Sequence, residues 1–411
     1  MQKLLSDPER TKISREIRRI AACPEEMKGT PTGEVLEALI STEGKMLRPA
    51  LLIHAARLAA GEDFIRDPLS GISAEDSKET SSETSAENLY KTAAKTYSKA
   101  STEDPSKKCP ETASVSDRLC MLAAFVELTH MASLVHDDII DDAKLRRGKI
   151  SVQHAFGKDA AVYAGDFLIS RVQGCAVKEG CYEAATILSE AVESMCIGEI
   201  GQARCRYDAG TTIEQYLKNV HGKTAALFQA ALKLGALEGR ADEHQIRLLE
   251  ELGEYAGRMF QLRDDLLDFA EGPSSDGCAK ENRVIREEAS GHTFMSSPVS
   301  PENPAYSEGK ELHKDFQGGI LTMPVLAVLH GDDPDGRNAL LPLIEEAKKR
   351  KLTAEELQKL NDVILNYGGV AAVRSEIRNC GNYCRTLLSE LGSENDPEIR
   401  FFRQLIDMLE G

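Results

Sequence analysis

Positive charge is scarce in this chain: 50 Lys and Arg stand against 67 Asp and Glu, a formal net charge of −17. A nucleic-acid surface must neutralise phosphates with Lys and Arg, so this balance argues against one. It argues equally against a polybasic membrane patch. Apolar residues nowhere run unbroken for the ~18–20 positions that cross a bilayer, so no membrane span is expected. The first ten residues, Met1 to Arg10, are charged from the outset and carry no signal-peptide core. The ten cysteines show no CxxC spacing, and Cys380 and Cys384 are four apart, an ordinary helical neighbour pair. The thiols are therefore expected to be reduced and the chain cytoplasmic. There is no GxxxxGK[ST] loop and no kinase signature set, which argues against phosphoryl transfer. Alternating strand patterns and internal repeats are also missing.

What is present is helix. The 411 residues, 41% hydrophobic, suffice for one large domain with a sizeable core. Two stretches differ in composition: residues 63–115 and 272–308 are rich in small and polar residues and hold few large apolar ones. They read as disordered insertions in a single domain spanning 1–411. Elsewhere apolar residues recur at three- and four-residue spacings over Met121–Asp142, Ala160–Val177, Ala184–Arg204, Ile213–Leu237 and Glu243–Phe269. The same spacing continues over Ala339–Arg350, Thr353–Asn366, Val370–Leu391 and Pro397–Leu409. Pro49, Pro324 and Pro342 sit where helices are expected to start. The stretch Ala225–Leu232 is apolar over most of its circumference, which suits the middle of a thick helical assembly.

The strongest local signal is Asp137-Asp138-Ile-Ile-Asp141-Asp142, followed by Arg146-Arg147-Gly148. On a helix Asp137 and Asp141 lie about 40° apart, one turn above the other. Such a pair offers hard oxygen ligands, and Mg²⁺ commonly binds through one or two carboxylates plus substrate phosphate oxygens. Guanidinium forks suit diphosphates. A single DDxxD is more often a solvated acidic face. Here Asp264-Asp265-Leu-Leu-Asp268 repeats the spacing amid Leu262, Leu266, Leu267 and Phe269. An acidic cluster on an apolar helix is costly unless it meets a cation. Two such helices could hold several Mg²⁺ ions around one diphosphate and neutralise it as a leaving group. Ionisation of an activated phosphate ester fits this pattern.

Basic residues are spread along the chain: Lys45 and Arg48 before a helix, Lys223-Thr224 on a mostly apolar helix, and Lys310 after the second low-complexity stretch. Each alone reads as a surface lysine or salt-bridge partner. His130, seven residues before Asp137, shares its helix face.

Taken together these motifs resemble the trans-polyprenyl diphosphate synthase family. The resemblance rests on Gly44-Lys45-x-x-Arg48-Pro49, on Glu127-x-x-His130 leading to His136-Asp137-Asp138-x-x-Asp141, and on Ala164-Gly165-Asp166. It continues through Gly198-Glu199-x-x-Gln202, Lys223-Thr224-Ala225 and Gly257-x-x-Phe260-Gln261-x-x-Asp264-Asp265-x-x-Asp268. It ends at Gly309-Lys310, Asp315, Gly319, Thr322 and Pro324. It implies an all-α isoprenoid synthase-type helical bundle around a deep central cavity, usually a homodimer, with the two low-complexity stretches as insertions. Asp137, Asp141 and Asp264 would bind Mg²⁺, with Asp138, Asp265 and Asp268 completing the catalytic clusters. Lys45, Arg48, His130 and Arg147 would hold isopentenyl diphosphate. Arg146, Lys223, Thr224, Gln261 and Lys310 would hold the allylic diphosphate. Two positions depart from the family pattern: Glu43 stands where Gly is usual, and Ile320 where Lys is frequent.

In this family the product grows along the first Asp-rich helix toward its N-terminus. The residues four and five before Asp137 are Ser133 and Ala132, with Thr129 a turn earlier. All are small, and each helical turn is about 5.4 Å, roughly one isoprene unit. This resembles the long-chain hepta- and octaprenyl synthases. The alternatives are a short-chain synthase stopping at C15–C20, an inactive regulatory subunit of the same fold, and a class I terpene cyclase, which the second DDxxD disfavours. A separate partner subunit stays open.

Overall fold

The computed structural model describes residues 4–41, 44–61, 116–146, 149–269 and 313–411. Both expected insertions, 63–115 and 272–308, lie outside the described residues, as does Lys310.

The chain opens with α1 (Asp7–Ile20), α2 (Pro31–Ser41) and α3 (Leu47–Ala60). Next comes α4 (Asp117–Ile140), which starts where Ser116 Oγ accepts the Leu119 amide at 3.1 Å. A two-residue antiparallel pair follows, β1 (Leu145–Arg146) with β2 (Lys149–Ile150). Then come α5 (Val152–Phe156), α6 (Lys158–Lys178), α7 (Tyr182–Arg204) and α8 (Ile213–Val220). One π-turn, His221–Ala225, leads straight into α9 (Ala226–Glu238). Helix α10 (Glu243–Leu266) closes in a 3₁₀ turn at Leu267–Phe269. The last portion holds α11 (Lys314–Gln317), α12 (Met323–Leu329), α13 (Pro334–Lys349), α14 (Ala354–Asn366), α15 (Gly369–Leu391) and α16 (Pro397–Glu410).

Local chemistry sets these boundaries. Thr212 with Gln215, Asp242 with Gln245 and Thr353 with Glu356 form reciprocal capping boxes at the starts of α8, α10 and α14. The expected helix start at Pro342 is corrected. The Asp333 side chain accepts the Asp335 amide at 2.9 Å and caps a helix beginning at Pro334, leaving Pro342 inside it. The helix forgoes one backbone hydrogen bond there.

The all-α architecture follows from where the apolar helices go. On α9, Leu227, Phe228, Ala230, Ala231, Leu232 and Leu234 are all buried, and the helix packs against α3, α7 and α10. Helix α4 is long and apolar enough to cross a membrane by length and composition alone. Its apolar residues are spent on the core instead: Phe125, Val126, Leu128 and Ala132 are fully buried. Each large apolar side chain so placed stabilises the fold by ~1.5–3 kcal/mol.

Close backbone packing surrounds the π-turn. A Cβ added at Gly198 of α7 would lie 2.5 Å from the Lys223 amide nitrogen, and one at Gly222 would lie 2.5 Å from the Ser194 carbonyl oxygen. Only glycine at both positions lets the two backbones touch. The Gly222→Ala variant is therefore expected to lower the urea midpoint with unchanged slope, at a cost of ~1–3 kcal/mol. An unchanged midpoint would show that the turn tolerates separation from α7.

Candidate active site

The first acidic motif occupies the last turn of α4. Asp137 is half-buried, Asp138 is 5% exposed, and Asp141 caps the helix end in solvent. The second motif ends α10. Asp264 is half-buried, whereas Asp265 and Asp268 are each 1% exposed. Each cluster thus has an open edge and a buried member. The less buried carboxylates are Asp137, Asp141 and Asp264.

The π-turn stands between the two clusters. Lys223 Nζ pairs with Glu199 Oε1 of α7 at 2.6 Å. Burial works against the Lys223 ammonium, but Glu199, Asp137 and Asp141 outweigh it and hold its pKa above the ordinary value. One residue on, Thr224 Oγ donates to Gln261 Oε1 at 2.7 Å, and Gln261 Nε2 donates to Asp265 Oδ1 at 3.0 Å. Tyr216 of α8 donates its hydroxyl to Asp265 Oδ2. Burial pushes the Asp265 carboxyl up to about 7 against the two side-chain donors, and Asp315 and Asp264 add repulsion. The segment after residue 312 returns to this end of α10: the Asp315 amide faces Asp268 Oδ2 at 3.5 Å, and His313 packs its ring on Phe269.

On the other side of α9 lies the loop before α3. Lys45 is exposed, and the buried Nε of Arg48 has no hydrogen-bond partner. The Arg48 guanidinium sits 4.8 Å from the centre of the Phe228 ring, which meets Phe260 of α10 at 5.6 Å. Burial lowers the Arg48 pKa to about 10, with Glu127 opposing, so the group stays cationic at neutral pH. Glu127 also explains Gly44, where an added Cβ would come within 2.6 Å of the Glu127 carboxylate. His130 is half-buried on the same helix as Glu127 and Asp137.

Among the described residues no three His, Cys, Asp or Glu side chains stand close enough to cage a metal ion by themselves. The donor set is all hard carboxylate oxygen, which suits Mg²⁺ bound through one or two carboxylates and completed by diphosphate oxygens and water.

A family model described as polyprenyl synthetase matches residues 31–281, more than half of the chain. The chain belongs to the polyprenyl synthetase family. It is 30% identical over 240 residues to octaprenyl diphosphate synthase of Escherichia coli strain K12, covering 58% of this chain and 64% of that one. It is 39% identical over 153 residues to heptaprenyl diphosphate synthase component 2 of Geobacillus stearothermophilus, covering 37% and 48%. The chain therefore spans less than two thirds of the length of either relative. The fold matches that of a polyprenyl synthase from Caulobacter crescentus CB15 complexed with calcium and isoprenyl diphosphate. That match has a TM-score of 0.68 at 22% identity, over 98% of this chain and 94% of the other.

Within the family frame, the structure puts Lys223, Thr224, Gln261, Asp264 and Asp265 at one place, with Asp137 and Asp141 in electrostatic range of Lys223. The side chains of Arg146 and Arg147 and the whole of Lys310 lie outside the described residues. Ala132 is fully buried, Thr129 is 3% exposed, and Ser133 is half-buried. The hydroxyls of Thr129 and Ser133 are spent on the Phe125 and His130 carbonyls of their own helix, each at 2.8 Å. Sequence reasoning assigned no role to Glu199 or Tyr216. Glu199 stood inside a quoted motif, but Tyr216 lies 49 residues from Asp265 and carries no local signal.

The Asp265 carboxyl sets a pH dependence. Its folded pKa, about 7, is above its ordinary 3.8, so the folded state holds the proton more tightly. That contribution is complete below the ordinary value and lost as pH rises through about 7. In metal-free protein, Asp265→Asn should therefore remove part of the fall in stability across this window, read from urea midpoints at several pH values. A parallel curve for variant and wild type would contradict the burial argument.

Proposed function

We propose that the chain is a trans-prenyltransferase that condenses isopentenyl diphosphate head-to-tail onto an allylic diphosphate, building a long-chain polyprenyl diphosphate. One observation carries this reading: a lysine and a threonine are held between two acidic helix ends whose open carboxylates are Asp137, Asp141 and Asp264. The relatives named as octaprenyl and heptaprenyl synthases support the long-chain product.

In this reading Asp137, Asp141 and Asp264 hold Mg²⁺. When bound, Mg²⁺ supplies the positive charge that lets the diphosphate depart. Lys223, Thr224 and Gln261, with Arg146 and Lys310, orient the allylic diphosphate so that its C–O bond ionises while the apolar chain lies away from water. Lys45, Arg48, His130 and Arg147 fix isopentenyl diphosphate with its double bond toward the allylic cation. A new carbon–carbon bond forms, and a proton leaves the adjacent carbon. No side-chain nucleophile takes part. The working unit is a homodimer in the cytoplasm. The name "component 2" of one relative makes a partner subunit the specific alternative to self-sufficiency.

The deciding experiment is incubation of the purified chain with isopentenyl diphosphate, farnesyl diphosphate and Mg²⁺, followed by sizing of the product. Elongation is expected, and it should vanish in EDTA. Asp137→Ala and Asp264→Ala should each lower turnover by several orders of magnitude, roughly 4 kcal/mol or more of barrier. Near-normal elongation in either variant would defeat the metal assignment. Elongation only after addition of a second polypeptide would establish the partner-dependent form.

Ala132→Phe should shorten the product while leaving the first condensation intact. Ala132 and Asp137 are five residues apart, about 140° beyond one full turn, so a ring at 132 meets the hydrocarbon rather than the diphosphate. An unchanged long product would show that the chain does not pass residue 132. A wild-type product of C15–C20 would establish the short-chain alternative.

A further inference from the structure

Asp265 differs from the other members of the acidic clusters in how completely it is engaged. It is 1% exposed and accepts from three groups of three different helices. The Tyr216 hydroxyl of α8 donates to Oδ2, the Gln261 Nε2 of α10 donates to Oδ1 at 3.0 Å, and the Met323 amide of α12 approaches Oδ2 at 3.4 Å. A carboxylate so engaged has little left for a cation. Its neighbour Asp264 is half-buried, the more exposed member of the pair.

The consequence falls on Gln261. With Asp265 ionised the carboxylate only accepts, so the Gln261 nitrogen faces Asp265 and its oxygen faces Thr224, whose hydroxyl donates to it at 2.7 Å. The opposite flip would set two oxygens against each other. One Nε2 hydrogen remains after the bond to Asp265, and a diphosphate, which also only accepts, takes it.

We infer that Tyr216 is a positioning residue for the allylic diphosphate: it clamps Asp265, which sets the orientation of Gln261. Asp265 is by the same geometry an anchor rather than a metal ligand. This inference rests on the transferase reading for the identity of the diphosphate, while the relay itself stands on the hydrogen bonds.

The experiment uses the full chain with Tyr216→Phe and Asp265→Asn, and reads calorimetric binding of inorganic diphosphate with Mg²⁺ alongside steady-state kinetics. Tyr216→Phe should weaken diphosphate binding and raise KM for the allylic substrate, each about tenfold, the effect of losing one hydrogen bond to a charged group. KM for isopentenyl diphosphate and the Mg²⁺ concentration for half-activity should hold. A loss of active protein with unchanged constants would mark Tyr216 as merely structural and overturn the inference, as would unchanged diphosphate affinity. Asp265→Asn keeps one amide oxygen, which the Tyr216 hydroxyl and the Met323 amide claim, and turns its NH2 toward Gln261 Nε2, so it should weaken diphosphate binding about tenfold, as Tyr216→Phe does. A rise of about tenfold in its Mg²⁺ requirement, ~1.4 kcal/mol, would make Asp265 a ligand and overturn the anchor role. Wild type that binds diphosphate without forming product, alone or with a partner polypeptide, would defeat the proposed function, and the calorimetry of the two variants would still decide the relay.

Discussion

A backbone contact closer than any side chain permits places the chemistry. Gly198 and Gly222 let α7 and the π-turn touch, and the turn is thereby wedged beside α10. Lys223 then reaches Glu199 in one direction and the field of Asp137 and Asp141 in the other. Thr224, the next residue, reaches Gln261. An uninterrupted α-helix advances 100° per residue, and the wider turn changes that phase where two adjacent polar residues must serve different neighbours. The rest of the site assembles around this wedge.

The acidic clusters divide their labour by burial. An unpaired carboxylate in an apolar setting is costly, and the fold meets that cost at Asp265 with donors from Tyr216, Gln261 and the Met323 amide. Asp137 and Asp264 are only half-buried, and Asp141 is exposed. Lys223 rests on Glu199, which keeps its largely buried ammonium paired. Arg48 is a different case, since its guanidinium lies over Phe228 with a buried Nε unmatched.

Much of this was legible in the sequence because it is local. The helix over Glu243–Phe269 follows from apolar spacing. The two DDxxD motifs announce themselves by composition, and their repeated spacing is what singles them out as candidates. What was not legible is long-range. Tyr216 looks like any aromatic on an amphipathic helix until the fold sets it on Asp265. The π-turn reads as ordinary helix because Ala225 to Leu232 keep their apolar period on one side of it. Pro342 reads as a helix start because proline is tolerated there, yet the Asp333 cap moves the start eight residues earlier, to Pro334. The division of each cluster into open and buried carboxylates depends on which neighbours the fold supplies, and spacing along one helix is silent on that.

The central claim is that two acidic helix ends and the wedge between them form one diphosphate site. The most direct test is a crystal structure of the full chain with Mn²⁺ and an unreactive thiolo analogue of an allylic diphosphate. Anomalous peaks are expected within about 2.2 Å of carboxylate oxygens of Asp137, Asp141 and Asp264, as for a hard cation on oxygen. Lys223 should have left Glu199 for the diphosphate. Metal bound to only one of the two helices, or a diphosphate seated away from Lys223, would contradict it.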